Sequence, residues 1–297
     1  CDVVVLCLPR TSDVNDALFG ENGLAEGLVG GKLVIDQTSG IPRETAAIAD
    51  KLSSFGVAMV DAPVSGGIPA AQNRKVTVIA SGSDAAWATA EPVLLAMTNS
   101  VFRCSTRVGD GQALKLVNNA IGAGYRMATL ELVALGRKMG LSLPRLVQAL
   151  NDGQGANFTT RHMLVGLVEG RSTTNFALAL MIKDLNAALS LGAETTSSMP
   201  MTTGARGLMQ MGLSLFGRNA VLDDVIPLIE KLSDLKFKSD DGTAQAPAVG
   251  IDEAELLSLI DRAVMACNAM AVLECVAMGN RFGLPISQMA RVLNVGS

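Results

Sequence analysis

The hydrophobic pattern of this 297-residue chain changes near residue 110. Before that point, short β-branched runs such as DVVVLCLP and KLVIDQTS alternate with helical stretches. Strands that are apolar throughout and alternate with helices are typical of a mostly parallel sheet covered on both faces. Beyond that point, apolar residues recur at intervals of three and four, and no strand pattern remains. The sequence therefore predicts an α/β region followed by an all-α region.

Four segments follow from this pattern and from the length, which suffices for about two domains. We place an α/β domain at 1–112, a helical domain at 113–238, a linker at 239–250 and a further segment at 251–297. The helical domain opens with a single long helix, ALKLVNNAIGAGYRMATLELVALGRKMG, about 42 Å in length at 1.5 Å per residue. The linker, SDDGTAQAPAVG, is polar and rich in glycine, alanine and proline.

The last segment repeats part of the long helix. With an offset of 143 residues and no gap, 121–153 and 264–296 are identical at 13 of 33 positions. We interpret 251–297 as an incomplete second copy of the helical domain. It should form two helices that break near Gly283, Leu284 and Pro285 and dock on 113–238 or on a partner chain. An uncovered apolar face on this copy would favour self-association.

Composition argues against several classes of function. The net charge is −4 with no basic cluster, so nucleic acid is not an expected partner. The apolar runs are too short to span a bilayer, and one histidine without paired ligand motifs gives no metal site. Five scattered cysteines without CxxC spacing indicate reduced core thiols of a cytoplasmic protein. Because the chain opens at Cys1 directly in a strand, we expect it to lack its natural N-terminus.

Three stretches carry polar residues whose roles need to be decided. DAPVSGG, at 61–67, ends a strand in a hydroxyl and two glycines, which can cradle a carboxylate or simply form a turn. In GDGQALKLVNN, Lys115 lies one helical turn before Asn119, where it is either a surface lysine or a proton carrier. In MIKDLNAAL, Lys183 and Asp184 are interpreted from the sequence alone as an exposed charged pair.

The order of these motifs resembles the β-hydroxyacid dehydrogenase family over residues 1 to about 238. The resemblance implies a Rossmann domain, here partial, followed by a helical domain built on a long interdomain helix. By the same resemblance, Lys115 matches the catalytic lysine and Asn119 the asparagine that binds substrate beside it. Ser65, Gly66 and Gly67 match the clamp for the substrate carboxylate.

The resemblance also implies NAD or NADP as cofactor. Leu8 and Pro9 match residues whose backbone lines it, Ser39 matches a hydroxyl near the nicotinamide ribose, and Lys183 matches a lysine that reaches it from the helical domain. The family's Gly-x-Gly-x-x-Gly turn should precede the first strand by roughly 60 residues and is absent. We therefore expect weakened dinucleotide binding, and the residues that would select NAD or NADP lie outside this sequence.

These features predict an oxidoreductase that moves a hydride between a small hydroxy acid, similar to 3-hydroxyisobutyrate, and a nicotinamide, with a lysine as general acid and base. An L-threonate-type 2-hydroxy acid dehydrogenase is an alternative. A non-catalytic fragment that serves as an oligomerisation scaffold is another. The expected partners are the small substrate and further copies of the chain, with neither nucleic acid nor membrane.

Overall fold

The computed structural model describes residues 1–238 and 250–296 of the chain. They form two compact units. The first combines 1–118, 190–197 and 276–297, and the second combines 119–189 and 198–275. Nearly all of the predicted linker, residues 239–249, lies outside the described residues. The repeat segment is divided between the two units, and the domain boundaries proposed from the sequence stay a prediction.

The first unit contains a six-stranded sheet in the order β1-β2-β3-β5-β4, with β6 paired to β5. β1 to β3 are mutually parallel, as are β5 and β6. β5 runs antiparallel to β3 and β4, so the sheet is mixed, and its remaining pairings are parallel as the sequence predicts for a mostly parallel sheet. The strands are β1 Val3–Leu6, β2 Leu33–Asp36, β3 Ala58–Asp61, β4 Val64–Ser65, β5 Thr77–Ser81 and β6 Ser100–Ser105.

Helices cover the sheet of the first unit. They are α1 Thr11–Phe19, α2 Pro42–Ser53, α3 Gly67–Gln72 and α4 Asp84–Met97, and a short 3-10 helix spans Leu24–Glu26. α2 begins with proline in its first turn, and Ser83 caps α4 by accepting from the Ala86 amide. Leu94 of α4 packs with Ile35 and Val60 of the sheet, and all three are fully buried. β2 is buried along its whole length, as is typical of a strand covered on both faces, whereas β1 is partly exposed.

Beyond residue 109 every further regular element is a helix within the described ranges, so the prediction of an α/β region followed by an all-α region is confirmed. α5 runs from Asp110 to Lys138, three residues earlier than predicted, and passes from the first unit into the second between residues 118 and 119. The later helices are α6 Leu143–Asp152, α7 Val165–Glu169, α8 Leu178–Glu194, α9 Pro200–Phe216, α10 Val225–Ser233, α11 Glu253–Phe282 and α12 Ile286–Gly296. A π-helical turn at Thr159–Leu164 precedes α7, and a 3-10 turn at Leu222–Asp224 precedes α10.

The repeat packs against its original in a nearly symmetric way. A Cβ placed on Gly136 would lie 2.8 Å from Ile260 Cδ1, and one placed on Gly279 would lie 3.0 Å from Val117 Cγ2. Gly279 and Ile260 are the repeat equivalents of Gly136 and Val117, so α5 and α11 make the same contact twice. Reciprocal contacts of this kind define a two-fold interface. The small residues allow the two helices to approach closely.

The second half of the repeat departs from the expected docking. α11 and α12 break at Gly283, whose φ of 110° suits glycine, as the sequence predicts. α12 lies beside β5 and β6 of the sheet, a contact that the sequence did not predict. Met289 and Val292 of α12 are buried in this position, which removes their apolar surface from water.

Two expectations drawn from composition need qualification. All five cysteines are free, but only Cys104 and Cys275 are buried, so the interpretation as core thiols is wrong for the exposed Cys1 and Cys7. α11 is long and apolar enough to cross a membrane by length and composition, with a mean hydropathy of 1.6 in its most apolar window. About 28% of that window is buried, so burial in the core does not account for its apolar composition. Polar side chains of α11 nevertheless bind neighbouring segments, as Glu274 does at Met201 and Asp261 at Gly155.

Candidate functional site

Two buried carboxylates end neighbouring strands of the sheet. Asp36 closes β2 and Asp61 closes β3, and the two residues are register partners with no exposed surface. Asp61 accepts hydrogen bonds from the Gly109 amide at 2.9 Å, from the Gln112 amide at 2.8 Å and from the Ser81 hydroxyl. Asp61 therefore fixes the first turn of α5 to the carboxyl end of the sheet.

Gln112 extends this connection to the loop after β2. Its side-chain amide donates to Asp36 Oδ2 at 3.4 Å, and its Oε1 accepts from the Gly40 amide. Asp36 Oδ1 also accepts from the Thr38 amide at 2.9 Å. The start of α5, which carries Lys115, is thus held by buried hydrogen bonds from two strand ends.

Burial raises the pKa of Asp61 to about 7, while the three donors and the nearby Asp36 modify it less. Because the native pKa lies above the unfolded value near 4, this group stabilises the fold fully only below about pH 4. That contribution is lost as the pH rises towards 7, at about 1.4 kcal/mol per pH unit.

We therefore expect the free-energy difference between wild type and Asp61→Asn to shrink, or to reverse, as the pH rises from about 4 to 7. Urea unfolding at a series of pH values measures this difference. Asp50→Asn, at an exposed aspartate of α2, serves as the matched control and should show no such slope. A pH-independent difference for Asp61→Asn would contradict the assignment.

The residues assigned to cofactor contact in the first unit lie at the same edge of the sheet. Leu8 and Pro9 follow β1, and Ser39 follows β2, its parallel neighbour. The Leu8 amide donates to Thr38 Oγ1 at 3.0 Å, which ties the two loops together. The crevice beyond the carboxyl ends of parallel strands is where open α/β sheets bind nucleotides.

The predicted carboxylate clamp follows β3 along the chain. Ser65 ends β4, pairs with Thr77 of β5 and is half-buried. Gly66 and Gly67 have φ values of 121° and 67°, in the region that favours glycine. A Cβ on Gly66 would lie 2.6 Å from Ala70 Cβ, whereas one on Gly67 would approach nothing closer than 3.9 Å. Both glycines are therefore required by the backbone, and Gly66 also by packing.

Lys115 is buried in α5, with 6% of its surface exposed. Its neighbours Leu114 and Leu116 are buried as well, so no part of this turn faces bulk solvent. The sequence left open whether Lys115 is a surface lysine, and its burial decides against that alternative. A lysine is seldom buried to this extent without a partner or a function.

Asn119, one turn further along α5, belongs to a polar cluster of the second unit. Its Nδ2 donates to Asp184 Oδ2 at 2.7 Å, and Lys183 Nζ lies 3.0 Å from Asp184 Oδ1. Asp184 thus joins two residues that the sequence had assigned to different roles. Because its amide nitrogen donates to Asp184, the Asn119 Oδ1 is oriented as the acceptor of the group.

The interpretation of Lys183 and Asp184 as an exposed pair is wrong for Asp184, which is 2% exposed. The signal was available in the helical spacing. Asp184 follows Met181 by three residues and precedes Ala188 by four, and both of these are buried. It therefore occupies a core-facing position. Asp36, Asp61 and Gln112 were also missed, although each aspartate directly follows three apolar strand residues.

Among residues 1–238 and 250–296, no group of three or more histidine, cysteine, aspartate or glutamate side chains could hold a metal ion. The lysine, asparagine and hydroxyl groups described above are instead suited to proton transfer and to binding an oxyanion.

Two family models match consecutive parts of the chain. The NAD-binding domain of 6-phosphogluconate dehydrogenase matches residues 1–109, and the model described as NAD-binding of NADP-dependent 3-hydroxyisobutyrate dehydrogenase matches 109–229. The junction of the two matches falls at the start of α5, where strands give way to helices.

Curated relatives point the same way. L-threonate dehydrogenase of Cupriavidus necator is 29% identical over 71% of this chain and 71% of its own length. The corresponding enzyme of Haemophilus influenzae is 32% identical, over 62% of this chain and 61% of its own length. Mitochondrial 3-hydroxyisobutyrate dehydrogenase of Bos taurus is 30% identical over 71% of this chain and 64% of its own length. The chain thus spans less than two thirds of several of these relatives.

Solved structures resemble the fold. 3-Hydroxyisobutyrate dehydrogenase of Salmonella typhimurium has a TM-score of 0.68 at 25% identity, and covers 76% of this chain and 79% of its own. 6-Phosphogluconate dehydrogenase of Plasmodium falciparum has a TM-score of 0.66 at 14% identity, but its match covers 98% of this chain and 62% of its own. At that identity the likeness concerns the fold alone, and it extends over the repeat segment.

Proposed function

We propose a function from one premise: this chain belongs to the β-hydroxyacid dehydrogenase family of NAD(P)-dependent oxidoreductases. We propose that it belongs to an enzyme that transfers a hydride between a small hydroxy acid and a nicotinamide. The observation that carries the proposal is the buried Lys115, one helical turn before an asparagine whose amide is fixed by Asp184. A non-catalytic scaffold would not require a buried lysine or the Asn119, Asp184 and Lys183 cluster.

The residues present fit part of a dinucleotide. The loops after β1 and β2 are joined by the bond from Leu8 to Thr38, and they offer backbone and a hydroxyl, that of Ser39, at the nucleotide-binding edge of the sheet. We propose that Leu8, Pro9, Ser39 and Lys183 contact NAD or NADP. The described residues include no Gly-x-Gly-x-x-Gly turn for the pyrophosphate. When bound, the nicotinamide supplies or accepts the hydride.

Side chains and backbone amides of this chain then transfer the proton and bind and orient the substrate. Lys115 takes the proton of the substrate hydroxyl during oxidation and returns it to the carbonyl oxygen during reduction. Asn119 orients the hydroxyl, with Asp184 as a positioning residue that holds its amide. Ser65 and the amides of Gly66 and Gly67 bind the substrate carboxylate, which fixes the reacting carbon.

The substrate class is supported by the relatives, whose names specify 3-hydroxyisobutyrate and L-threonate. A 3-hydroxyisobutyrate-like acid is our first candidate. L-Threonate is the second, because the chain shares 29% to 32% identity with four L-threonate dehydrogenases. Turnover of both acids by the protein, supplied with NAD and NADP in turn, distinguishes the two. Absence of turnover of any small hydroxy acid would contradict the class.

The carboxylate clamp makes a specific prediction. Ser65→Ala should raise the KM for the hydroxy acid about tenfold with a smaller change in kcat, because one hydrogen bond to a charged group is lost. Steady-state kinetics with the acid and with its uncharged amide analogue measures the effect. Ser54→Ala, at an exposed serine that follows α2, is the matched control. If the acid and the amide show equal KM values in the wild type, no carboxylate is bound there.

We also propose a homo-oligomer in the cytoplasm, with neither nucleic acid nor membrane as partner. The net charge of −4 and the absence of a basic cluster in the sequence support the first exclusion. The polar contacts of α11 support the exclusion of a membrane. Glu274 accepts from the amides of Met201 and Thr202 at the start of α9, and Asp261 accepts from the Gly155 amide. Exposed apolar residues on the same helix support association with a second copy.

A further inference from the structure

Residues 110–127 of α5 are buried with the single exception of Gly122. A Cβ placed on Gly122 would lie 3.7 Å from Tyr125 Oη, and apart from the helix's own backbone and adjacent residues no atom would be nearer. Gly122 is partly exposed, so solvent reaches the helix there in a stretch whose other residues are buried. The glycine keeps this space free, at a cost in helix stability.

The space beside Gly122 lies on the helical face that carries Asn119. Asn119, Gly122 and Arg126 follow one another at intervals of three and four residues, which places them on one side of α5. The distance along the helix axis from Asn119 to Arg126 is about 10 Å. Because side chains on a helix lean towards its N-terminus, Arg126 leans back towards Gly122.

Arg126 is a buried cation that lacks a counter-ion among residues 1–238 and 250–296. It is 7% exposed, and its Nε and Nη1 atoms are buried with no hydrogen-bond partner in those ranges. Asp223 is the acidic group that acts on it electrostatically, but it forms no ion pair with it within the described residues. The Asp223 carboxylate instead accepts from the Ser172 hydroxyl, from the amide and hydroxyl of Thr173 and from the Thr174 amide.

An uncompensated buried guanidinium is costly, and an anion that pairs with it recovers much of that cost. We propose that the space beside Gly122 binds a second anionic group of the substrate, a carboxylate or a phosphate, with Arg126 as its counter-ion and the Tyr125 hydroxyl as a further donor. The inference rests on the proposed function and narrows it. The preferred hydroxy acid carries two anionic groups, one at each end.

The test compares binding of matched acids by titration calorimetry, so it does not depend on turnover. One pair is 3-hydroxybutyrate and 3-hydroxyglutarate, and the other is erythronate and 4-phosphoerythronate. The wild type should bind at least one acid with two anionic groups about tenfold more tightly than its partner with one, as expected for a charge-assisted pair. The pair that shows the preference identifies the second group as carboxylate or phosphate. Equal affinity within both pairs overturns the proposal.

Arg126→Met should abolish the preference and leave binding of the monoanionic acids within about twofold of wild type. Arg218→Met, at an exposed arginine of the same unit, should retain the preference. A preference that persists in Arg126→Met also overturns the proposal. Failure of the proposed function gives a different pattern, in which Arg126-dependent binding of dianions is found without any hydride transfer.

Gly122→Ala keeps the experiment decisive if Arg126→Met does not fold. Alanine should raise the unfolding midpoint, because it replaces glycine inside a helix. The substitution should at the same time weaken binding of the acid with two anionic groups about tenfold, because the added methyl group occupies the space beside Gly122. The two effects have opposite signs, which a purely structural role for Gly122 would not produce. Unchanged affinity for the dianionic acid in Gly122→Ala would refute the subsite.

Discussion

Replacing Lys115 with methionine should lower kcat for the hydroxy acid by about 10²-fold or more. The reaction must remove a proton from the substrate hydroxyl as the hydride leaves. Among the groups assigned to the substrate, the lysine amine is the one suited to accept that proton. Because Lys115 is 6% exposed, the apolar methionine side chain fits the same space. The fold and the affinity for NAD or NADP should therefore change little.

Steady-state kinetics and cofactor titration together measure this outcome. Lys138→Met is the matched control, since Lys138 lies at the exposed end of the same helix. It should retain turnover within about twofold, as is usual for surface substitutions away from a site. Near-normal kcat in Lys115→Met would remove the lysine from the mechanism. Loss of cofactor affinity in parallel with kcat would instead indicate a structural role.

Local sequence signals located several elements well. The segments DAAWATAEPVLLAM and LPRLVQALND have the composition of helices, and they form α4 and α6. Ser83 as a cap and Pro144 near the first turn of α6 give physical start signals, which explains the agreement. The break between α11 and α12 was predicted for the same reason, since Gly283 and Pro285 both interrupt a helix.

Strand direction could not be predicted from the apolar pattern. The run VAMVDAPVSGG has the apolar character of one strand, but Pro63 interrupts it, and the chain forms β3 and the two-residue β4. β5 then pairs antiparallel with both. An apolar run indicates that a strand is buried on both faces, but its residues are the same whichever way the strand runs.

The candidate site was only partly visible in the sequence, because its supporting residues act over long separations. Asp61 binds the start of α5 almost 50 positions later, and Asn119 meets Asp184 across 65 positions. Motifs identified Lys115 and Asn119 but gave no sign of what holds them. Arg126 likewise reads as an ordinary helical arginine until its burial and the open space at Gly122 are known.

The repeat shows most clearly how identical residues acquire different environments. Met127 and Leu130 of α5 are buried, with exposed fractions of 2% and 0%. Their repeat equivalents, Met270 and Leu273 of α11, are 52% and 69% exposed. α6 to α10 follow the first copy along the chain, whereas α12 is the one helix described after α11. The same apolar side chains therefore form core in one copy and surface in the other.

Deleting 251–297 should lower the free energy of unfolding by about 3 kcal/mol or more and should cause aggregation. The deletion uncovers the face of α5 that contacts α11, including Val117 and Gly136. It also removes Glu274, whose carboxylate binds the amides of Met201 and Thr202 and the Thr202 hydroxyl at the start of α9. Three bonds to one buried charged group and the lost apolar contacts together account for an effect of that size.

Leu273→Glu separates this structural role from association between copies. It leaves α5 covered and the Glu274 contacts in place, but it puts a charge on the exposed apolar face of α11. We expect unchanged unfolding and a shift in sedimentation velocity from a dimer or larger species towards the monomer, because a charge opposes burial of that face against a second copy. Ser258→Glu, at an exposed position of the same helix, is the control and should leave the sedimentation unchanged. Rapid amide exchange throughout α11, together with a deletion variant that sediments and unfolds like wild type, would exclude both roles for the repeat.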